Sequence, residues 1–390
     1  MISTATICLI ACHGGAADHF ATYAQALTQK GYDVQIHATG PALTKLQERG
    51  IEVKSSFVLD KLSSEEEDLL AQQIAKTCSV ASLILTDVGH PFDIKIHQAL
   101  RVHATHVPCA AYYDNFENWV PGGYSTTFAA VMEFAQKVLF ANEHLAQSPI
   151  FSAIGQKIDL SHTERFSVGY YAVSKAKEIA AQRKAEHDTA HAAFLKEHKI
   201  KVPEAIKAPK AKIWVYFGGN NEEYFEQAFP AFLSLLSQTS QLINLKNHVI
   251  ILQQHPGALQ TNRDLQKIEA WKKDLGERTD IPRLIVSHFS SDHAQVLADA
   301  AFYYQTTMGP QFVLAGIPTV QIGHKPYEDV LVRNKLIPSV TQAERFVQVV
   351  PTLEILDEMS EQNVLNGVGF REDWPETLED AIKRMIGQPV

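Results

Sequence analysis

The sequence predicts an α/β protein of two domains, each built on a doubly wound parallel sheet. Short apolar runs rich in β-branched residues alternate with amphipathic helical segments, which is the pattern of strand–helix–strand units. The length of 390 residues exceeds what one ordinary hydrophobic core holds, so two domains are expected. A glycine pair follows the first strand of each half, at 14–15 and at 218–219. The two halves therefore open in the same way.

The composition is that of a globular protein and excludes several classes of function. Hydrophobic residues make up 45% of the chain and charged residues 20%. The net charge of -9 argues against a nucleic-acid partner, because such proteins carry a basic surface. No apolar run approaches the roughly 20 residues of a membrane span, and the start lacks the basic region of a secretion signal. We expect a cytoplasmic protein without a transmembrane segment, and peripheral contact with a membrane stays open.

The cysteines and histidines give no metal signature. The spacings of Cys8, Cys12, Cys78 and Cys109 fit neither a zinc site nor a redox pair. The 17 histidines are scattered along the chain. We therefore predict reduced cysteines in or near the core and no metal site.

The first domain is expected to cover 1–173. A capping box at 64–67 opens one of its helices, and glycines end two others. The expected strands are 6–11, 33–39, 51–57, 81–86, 107–112, 137–140 and 166–173.

The second half repeats the alternation after a linker. Residues 174–211 are helical in pattern, Ala-rich and basic, and end in a proline-containing extended segment. A second domain is expected over 212–373, and a C-terminal helix over 374–390 that can pack back on the first domain. The clearest strand–helix–strand unit is 301–322, in which a loop at 305–309 precedes a short helix. Other expected strands are 212–217, 248–252 and 283–286, and other expected helices are 222–237 and 292–300, the last capped by Ser291.

Three loops of the first half leave the carboxyl ends of strands, where ligands bind in such sheets. In the first loop, Gly14 and Gly15 allow a ligand to approach the backbone, and His13 or His19 can act as a base near neutral pH. A turn that carries Gly and His for packing alone is the alternative.

The other two loops hold acidic and aromatic residues. Asp87 is either functional or the cap of the helix that begins near Phe92. Asp114 precedes the aromatic stretch 116–125, which is either a stacking platform for a sugar or an ordered surface loop.

Two loops of the second half suit a phosphate or a sugar hydroxyl, because polar residues and glycines there precede a helix N-terminus. The alternative for each is a polar turn without a ligand. The candidate residues are Gly218, Gly219 and Asn220 in one loop, and Thr306, Thr307, Met308 and Gly309 in the other.

Two such halves, with parallel sheets facing across a cleft, resemble the glycosyltransferases of GT-B architecture, which consist of two Rossmann-like domains. The chain is similar in particular to the bacterial N-acetylglucosaminyltransferase that forms lipid II, and to related nucleotide-sugar enzymes. In that family the first strand ends in Gly-Gly-Thr-Gly-Gly-His, and the segment 14–19 keeps the first two glycines and the histidine. The family's second domain opens with a strand, Gly-Gly-Ser-Gln-Gly and a helix, and 218–221 stands in that place.

Two further positions carry the resemblance. Gln311 lies five residues before Gly316, where the family has the Glu that holds the nucleotide ribose. An amide hydrogen-bonds a ribose less strongly than a carboxylate does. His255-Pro256 is similar to the His-Pro dipeptide of bacterial sialyltransferases, in which the histidine meets the donor phosphate.

The resemblance implies an inverting, metal-independent transferase that moves a sugar from a nucleotide-activated donor to a hydroxyl. The second domain would hold the nucleotide sugar, whose base is open, and no other cofactor is implied. The first domain would hold a small-molecule, glycan, lipid-linked or protein acceptor, and His19, His13 or Asp114 would remove its proton. Closure of the domains would exclude water. The donor would contact Gly218, Gly219, Asn220, His255, Thr306, Thr307, Met308, Gly309 and Gln311, with the backbone at His288 and Phe289 near the base.

Two rival interpretations stay open. A hydrolysing nucleotide-sugar 2-epimerase has the same fold and needs several carboxylates, for which Asp87, Asp114 and Glu117 are candidates. A catalytically inactive binding or scaffold protein would have kept the fold and lost the chemistry. The missing glycines of the first turn and the replacement at Gln311 favour the scaffold.

Overall fold

The computed structural model describes residues 5–59, 62–116, 119–120, 122–153, 156–200, 212–255, 258, 261–287, 289–323, 325, 329–349 and 361–388. The chain divides into two compact units. Unit 1 comprises Met1–Tyr171 and Gly369–Val390, and unit 2 comprises Ala172–Val368. Each unit contains one large parallel sheet.

The described strands follow the chain in sixteen segments. They are β1 (Thr6–Ala11), β2 (Asp33–Thr39), β3 (Ser55–Phe57), β4 (Leu83–Thr86), β5 (Cys109–Tyr113), β6 (Trp119–Val120), β7 (Lys137–Phe140), β8 (Ile150–Ala153), β9 (Gln156–Asp159), β10 (Glu164–Ser167), β11 (Ile213–Phe217), β12 (Val249–Gln253), β13 (Arg283–Val286), β14 (Ala300–Tyr303), β15 (Thr319–Ile322) and β16 (Ser339–Val340).

Fifteen α-helices are described between these strands. They are α1 (Gly14–Gln29), α2 (Gly40–Glu48), α3 (Ser64–Cys78), α4 (Phe92–His103), α5 (Gly122–Met132), α6 (Glu143–Gln147), α7 (Ala172–Glu197), α8 (Phe229–Leu242), α9 (Arg263–Leu275), α10 (Ser291–Leu297), α11 (Gly309–Leu314), α12 (Val330–Arg333), α13 (Ala343–Val349), α14 (Glu361–Val368) and α15 (Glu376–Met385). A π-helical turn, Tyr224–Ala228, runs directly into α8.

The sheet of unit 1 has the strand order β10-β7-β5-β4-β1-β2-β3, and its strands pair in parallel. The chain moves outward from β1 to β3 and then returns to β4 on the other side of β1. Strand order therefore reverses between β1 and β4, which is the point where open α/β sheets bind ligands. A separate small sheet, β6-β8-β9, was not predicted.

Unit 1 is doubly wound, with helices on both faces of its sheet, so the central strand β1 is buried on both faces. Ile7 and Leu9 belong to a core formed with α1, α2 and the C-terminal helix α15. Cys8 and Ile10, which point to the opposite face, pack with α3 and α4. Alternate residues of one strand thus serve two cores, so the strand sequence is apolar throughout.

The sheet of unit 2 has the order β13-β12-β11-β14-β15-β16, again with parallel pairs, and its strand order reverses between β11 and β14. Trp214 and Tyr216 of β11 lie in a core with Phe232 of α8 and Phe346 of α13. The long helix α7, most of the segment predicted as a linker, belongs to this unit and packs on α10 and α11.

The α/β fold class with two Rossmann-like domains is confirmed, and several predicted boundaries are wrong. The strand predicted over 166–173 ends at Ser167, because Gly169 adopts φ +77° and α7 begins at Ala172. The capping box starts at Ser63, whose hydroxyl accepts from the Glu66 amide while the Glu66 carboxylate accepts from the Ser63 amide.

Two further predicted elements also differ from the observed ones in where they begin or end. The strand predicted over 51–57 is only Ser55–Phe57. The helix predicted over 292–300 is Ser291–Leu297, capped by Ser290, and Ala300 already starts β14.

Candidate functional site

Three predicted loops of unit 1 meet at the carboxyl edge of its sheet. His13 follows β1, Asp87 follows the neighbouring β4, and Asp114 follows β5, the next strand along. The register of β1, β4 and β5 is continuous, since Ile10 pairs with Thr86 and Thr86 pairs with Ala111. Sheet order therefore brings these side chains to one region.

Asp87 fixes the turn after β1 from inside the protein. Its Oδ2 accepts hydrogen bonds from the backbone amides of Cys12, at 2.9 Å, and His13, at 2.8 Å. The carboxyl group is 1% exposed and lies beside the equally buried Asp93. Burial raises the pKa of Asp87 well above its ordinary value, and the charge of Asp93 raises it further. Burial and the neighbouring carboxyl group thus both favour the protonated form of Asp87, and Asp87 holds the loop instead of capping α4.

Asp93 completes this buried group. Its Oδ2 accepts from the His90 amide at 2.7 Å, and burial raises the pKa of Asp93 as well. Ligand atoms of Cys12, Asp87 and Asp93 lie within 4.8 Å of one another, which is close enough for a metal ion. Asp87 Oδ2 already accepts hydrogen bonds from two backbone amides. We therefore interpret the cluster as a structural group that holds the loop after β1.

Gly15 brings a carboxylate to the N-terminus of α1. His13 caps this 16-residue helix, its Nδ1 accepting from the Gly15 amide at 3.1 Å. A Cβ on Gly15 would collide with the carboxylate of Asp114 and would lie 3.0 Å from the His13 ring. The partly exposed Asp114 therefore lies against the N-terminus of α1, which is the positive end of the helix dipole.

His19 lies one helical turn further along and is 6% exposed. Its Nδ1 is 2.5 Å from the hydroxyl of Tyr112, and the rings of Tyr23, Tyr170 and Tyr171 surround it. Burial lowers the pKa of His19 to about 4. The imidazole is therefore neutral at pH 7.

The predicted donor residues of unit 2 converge on the carboxyl edge of the second sheet. The end of β11 pairs with the ends of β12 and β14, since Phe217 is opposite both Gln253 and Tyr303. The four loops that leave this edge carry Phe289 after β13, His255 after β12, Gly218, Gly219 and Asn220 after β11, and Thr306, Thr307, Met308 and Gly309 after β14. Gln253 Nε2 donates to the Phe289 carbonyl at 3.3 Å and ties two of these loops together. His288 lies outside the described residues.

The glycine turn after β11 is packed against Tyr224. A Cβ on Gly218 would lie 2.8 Å from the Tyr224 hydroxyl, and one on Gly219 would lie 3.0 Å from its ring. The Tyr224 hydroxyl donates a hydrogen bond to Asp264 Oδ1 at 2.8 Å. Gln254 Nε2 donates to the other Asp264 oxygen at 3.0 Å. Both positions therefore need glycine, because the buried side chain of Tyr224 occupies the space that a Cβ would take.

The loop after β14 combines internal bonds with exposed polar groups. The Thr306 hydroxyl accepts from the Met308 amide at 3.2 Å, and Thr307 is exposed. Gly309 packs against Tyr303, whose hydroxyl lies 2.9 Å from the position of a Cβ. That hydroxyl donates to the buried Asp329 at 2.8 Å.

Gln311 is 6% exposed, and its Nε2 donates to Gln295 Oε1 at 3.2 Å. Gln295 is fully buried on α10. Arg183 of α7 donates to the carbonyls at the end of α10, including that of Gln295 at 2.5 Å. The amide of Gln311 therefore belongs to the packing between α10 and α11.

Sequence reasoning missed Asp93, Tyr224 and Asp264, which shape the two edges. Tyr224 and Asp264 are 40 residues apart in the chain, so no spacing connects them. Asp93 lies in the first turn of the helix predicted to begin near Phe92, where an acidic residue is ordinary, so the pattern contained no signal for its role. Among the other predicted residues, Glu117 and Pro256 lie outside the described part of the chain.

Two Rossmann-like units, each with a polar loop cluster at the carboxyl edge of its sheet, define the GT-B class of fold. Solved structures of this fold match nearly the whole chain. The UDP-GlcNAc 2-epimerase of Methanocaldococcus jannaschii matches 97% of this chain and 99% of its own, with a TM-score of 0.67 and 9% identity. A glycosyltransferase from Rickettsia africae ESF-5 matches 99% and 100%, with a TM-score of 0.66 and 9% identity. MnaA of S. aureus, solved with UDP, matches 99% of each chain, with a TM-score of 0.65 and 12% identity.

These matches confirm the predicted fold and, at such low identity, the fold alone. No protein-family model matches the chain, and no curated protein matches it in sequence. Within the described ranges, none of the helices combines the length and the apolarity needed to cross a membrane.

Proposed function

We propose that the chain is a glycosyltransferase that moves a sugar from a nucleotide-activated donor to a hydroxyl acceptor, with inversion and without a catalytic metal. The observation that carries the proposal is the position of Asp114, a partly exposed carboxylate held beside His13 at the N-terminus of α1. General-base removal of a hydroxyl proton needs such a group. Solved enzymes with this fold include a glycosyltransferase, and one was solved with UDP, which supports the choice of donor.

Among the three candidate bases, the geometry favours Asp114. His13 Nδ1 accepts from the Gly15 amide, so in the neutral ring the proton is on Nε2 and the side chain acts as a donor. His19 is buried among tyrosines, and with its pKa lowered to about 4 by burial it is a weak base at pH 7. We therefore assign proton removal to Asp114. His19 would act as a positioning residue that holds Tyr112 and the neighbouring tyrosine rings in place.

We assign the nucleotide diphosphate to the carboxyl edge of unit 2. Asn220 and Thr307 are exposed on adjacent loops there, and His255 follows the next strand. Because Gly219 packs directly against the ring of Tyr224, that glycine would support the site by packing instead of touching the phosphate. Gln311 would likewise support the site indirectly, through its hydrogen bond to α10. The nucleotide base would lie near Phe289.

The proposed reaction is one displacement. The acceptor oxygen forms a bond to the anomeric carbon as Asp114 takes its proton, and the bond from that carbon to the phosphate oxygen breaks. The electron pair leaves with the nucleoside diphosphate. Of the described carboxylates in the loops after β4 and β5, Asp87 is buried and Asp114 is partly exposed. This arrangement suits the inverting route, since a retaining route through a covalent intermediate needs a second carboxylate as nucleophile.

The test combines a thermal-shift screen with turnover. UDP, GDP, CDP, CMP, dTDP and ADP are screened against the full chain, because a ligand of the folded state raises Tm by mass action. We expect one nucleotide to raise Tm, and Asp114→Asn to keep that shift while release of the nucleotide from its sugar conjugate falls by about 10²–10⁴-fold. Turnover in EDTA should equal turnover without it.

The matched control is Glu48→Gln, which neutralises an exposed carboxylate on α2 of the same unit. It should change neither the shift nor the turnover. If no nucleotide raises Tm, the scaffold interpretation replaces the transferase. If Asp114→Asn keeps full turnover, the base assignment is wrong.

The rival epimerase requires several reactive carboxylates at one edge. Asp87 is buried, accepts from two backbone amides and has a pKa raised by burial, so of the three carboxylates first considered it is poorly suited to chemistry. Product analysis separates the two enzymes. Release of free nucleotide with an epimerised sugar, in the absence of any acceptor, would favour the epimerase.

A further inference from the structure

The second core of unit 1 contains three side chains that bind metals. Cys8 comes from β1, His37 from β2 and Cys78 from the end of α3. Their ligand atoms lie within 4.8 Å of one another, and each residue is at most 1% exposed. Chain spacing gave no hint of the cluster because each ligand comes from a different element.

The imidazole of His37 is oriented as in a metal site. Its Nδ1 lies 2.5 Å from the Ser55 hydroxyl, which fixes the ring. Its Nε2 is buried and has no hydrogen-bond partner of normal geometry. Metal-binding histidines generally use one nitrogen for such an orienting bond and the other for the ion. A buried polar atom without a partner costs free energy, and a bound cation would remove that cost.

Two of the three ligands are cysteine sulfurs, and cysteine binds metals as the thiolate. Cys8 and Cys78 pack in the same buried core of unit 1. These groups together provide one or two soft sulfur ligands and one imidazole in a dry environment.

We propose that Cys8, His37 and Cys78 form a binding site for one soft monovalent d10 cation of the Cu⁺ class. Sulfur and imidazole ligands suit such an ion. Structural Zn²⁺ takes four protein ligands, whereas the described residues bring three together here. The site joins β1, β2 and α3 and is independent of the proposed transferase activity.

The test is an anaerobic titration of the full, reduced chain with Cu⁺ in competition with bathocuproine disulfonate. We expect one tightly bound equivalent, with sulfur-to-copper absorption in the ultraviolet. Cys8→Ser and Cys78→Ser should each weaken binding by about 100-fold, and His37→Gln by about 10-fold. The matched control is Cys109→Ser, which removes a mostly buried thiol next to the same core but outside the group. It should bind as the wild type does.

Circular dichroism establishes that each variant is folded before its affinity is compared. X-ray absorption of the wild type bound to Cu⁺ provides a measurement that needs no variant, and two sulfur atoms and one nitrogen are expected around the ion. The proposal is overturned if the wild type binds no Cu⁺ in competition, if Cys8→Ser and Cys78→Ser bind as tightly as the wild type, if the ion has only oxygen or nitrogen neighbours, or if equimolar Zn²⁺ displaces it.

Discussion

The carboxylate of Asp114 occupies the space into which any side chain on Gly15 would project. The glycine at position 15 is therefore explained by a side chain from the loop after β5, and a ligand is not needed to explain it. This contact couples the helix N-terminus to the residue that we propose as the base. It also supplies a direct test of the site.

Replacing Gly15 with Ala should disturb both stability and activity. The new methyl would clash with Asp114 and lie 3.0 Å from the His13 ring, so we expect a loss of about 1–3 kcal/mol in the free energy of unfolding. Displacing the carboxylate by about 1 Å should lower turnover by about 10²-fold. Urea unfolding and release of nucleotide from the donor measure the two effects.

The neighbouring Gly14 provides the control. A Cβ there would lie 3.4 Å from Pro41 Cβ and 3.6 Å from Lys45 Cε, which is ordinary contact. Gly14→Ala should leave stability and turnover close to wild type. Equal losses in both variants would show that the turn needs glycine for a reason other than Asp114.

The folded state should tolerate the replacement of Asp87 by Asn and should lose stability when Asp87 is replaced by Ala. An Asn side chain keeps an oxygen that can accept from the same two backbone amides without adding a buried charge, so Asp87→Asn should change the unfolding free energy by less than about 1 kcal/mol at pH 7. Asp87→Ala leaves both amides without a partner and should cost about 2–4 kcal/mol. Urea midpoints at constant m-value provide the comparison. Similar costs for Asn and Ala would mean that the native carboxyl is ionised.

The sequence was sufficient to locate the edges of both sheets. Runs such as Thr6–Ala11 and Arg283–Val286 coincide with observed strands because apolar β-branched segments between turn residues are a local signal. Since all parallel strands of a sheet end at one edge, the loops after them had to be neighbours. His13, Asp87 and Asp114 were brought together by this rule alone.

The contacts within the edges could not be predicted, because they depend on packing between distant segments. Gly218 and Gly219 had the pattern of a phosphate-binding turn, yet Tyr224 fills the space beside them and bonds to Asp264. Strand 166–173 was extended too far because its apolar run continues past Gly169, whose positive φ ends the strand. A one-dimensional pattern contains neither fact.

Two stacked tyrosines of unit 2 should respond oppositely to loss of their hydroxyls. Tyr224 and Tyr216 are both fully buried, with ring centroids 6.5 Å apart. Tyr224→Phe removes a hydrogen bond to the buried Asp264 and should cost about 1–3 kcal/mol. Tyr216 has a buried hydroxyl without a hydrogen-bond partner, so Tyr216→Phe should be neutral or stabilising. Thermal denaturation of both variants checks the pair, and a larger loss for Tyr216→Phe would contradict the assignment.

The buried histidines should make unit 1 lose stability in mild acid. His97, whose Nε2 lies 2.6 Å from the Thr86 hydroxyl, and His19 have their pKa lowered to about 4 by burial. The unfolded chain has a His pKa of about 6.5 and binds the proton first as pH falls, so each histidine should lower the unfolding free energy by about 1.4 kcal/mol per pH unit between pH 6.5 and 4.

The Asp87–Asp93 pair, with its raised pKa, acts in the opposite direction, so the informative quantity is the difference between variants. Urea unfolding at pH 7, 6 and 5 should show a shallower decline for His97→Gln than for the wild type, by about 1.4 kcal/mol per pH unit. His162→Gln, which alters an exposed histidine, should keep the wild-type slope. The interpretation fails if His97→Gln and His162→Gln decline equally, because the buried imidazole would then take up its proton in the folded state.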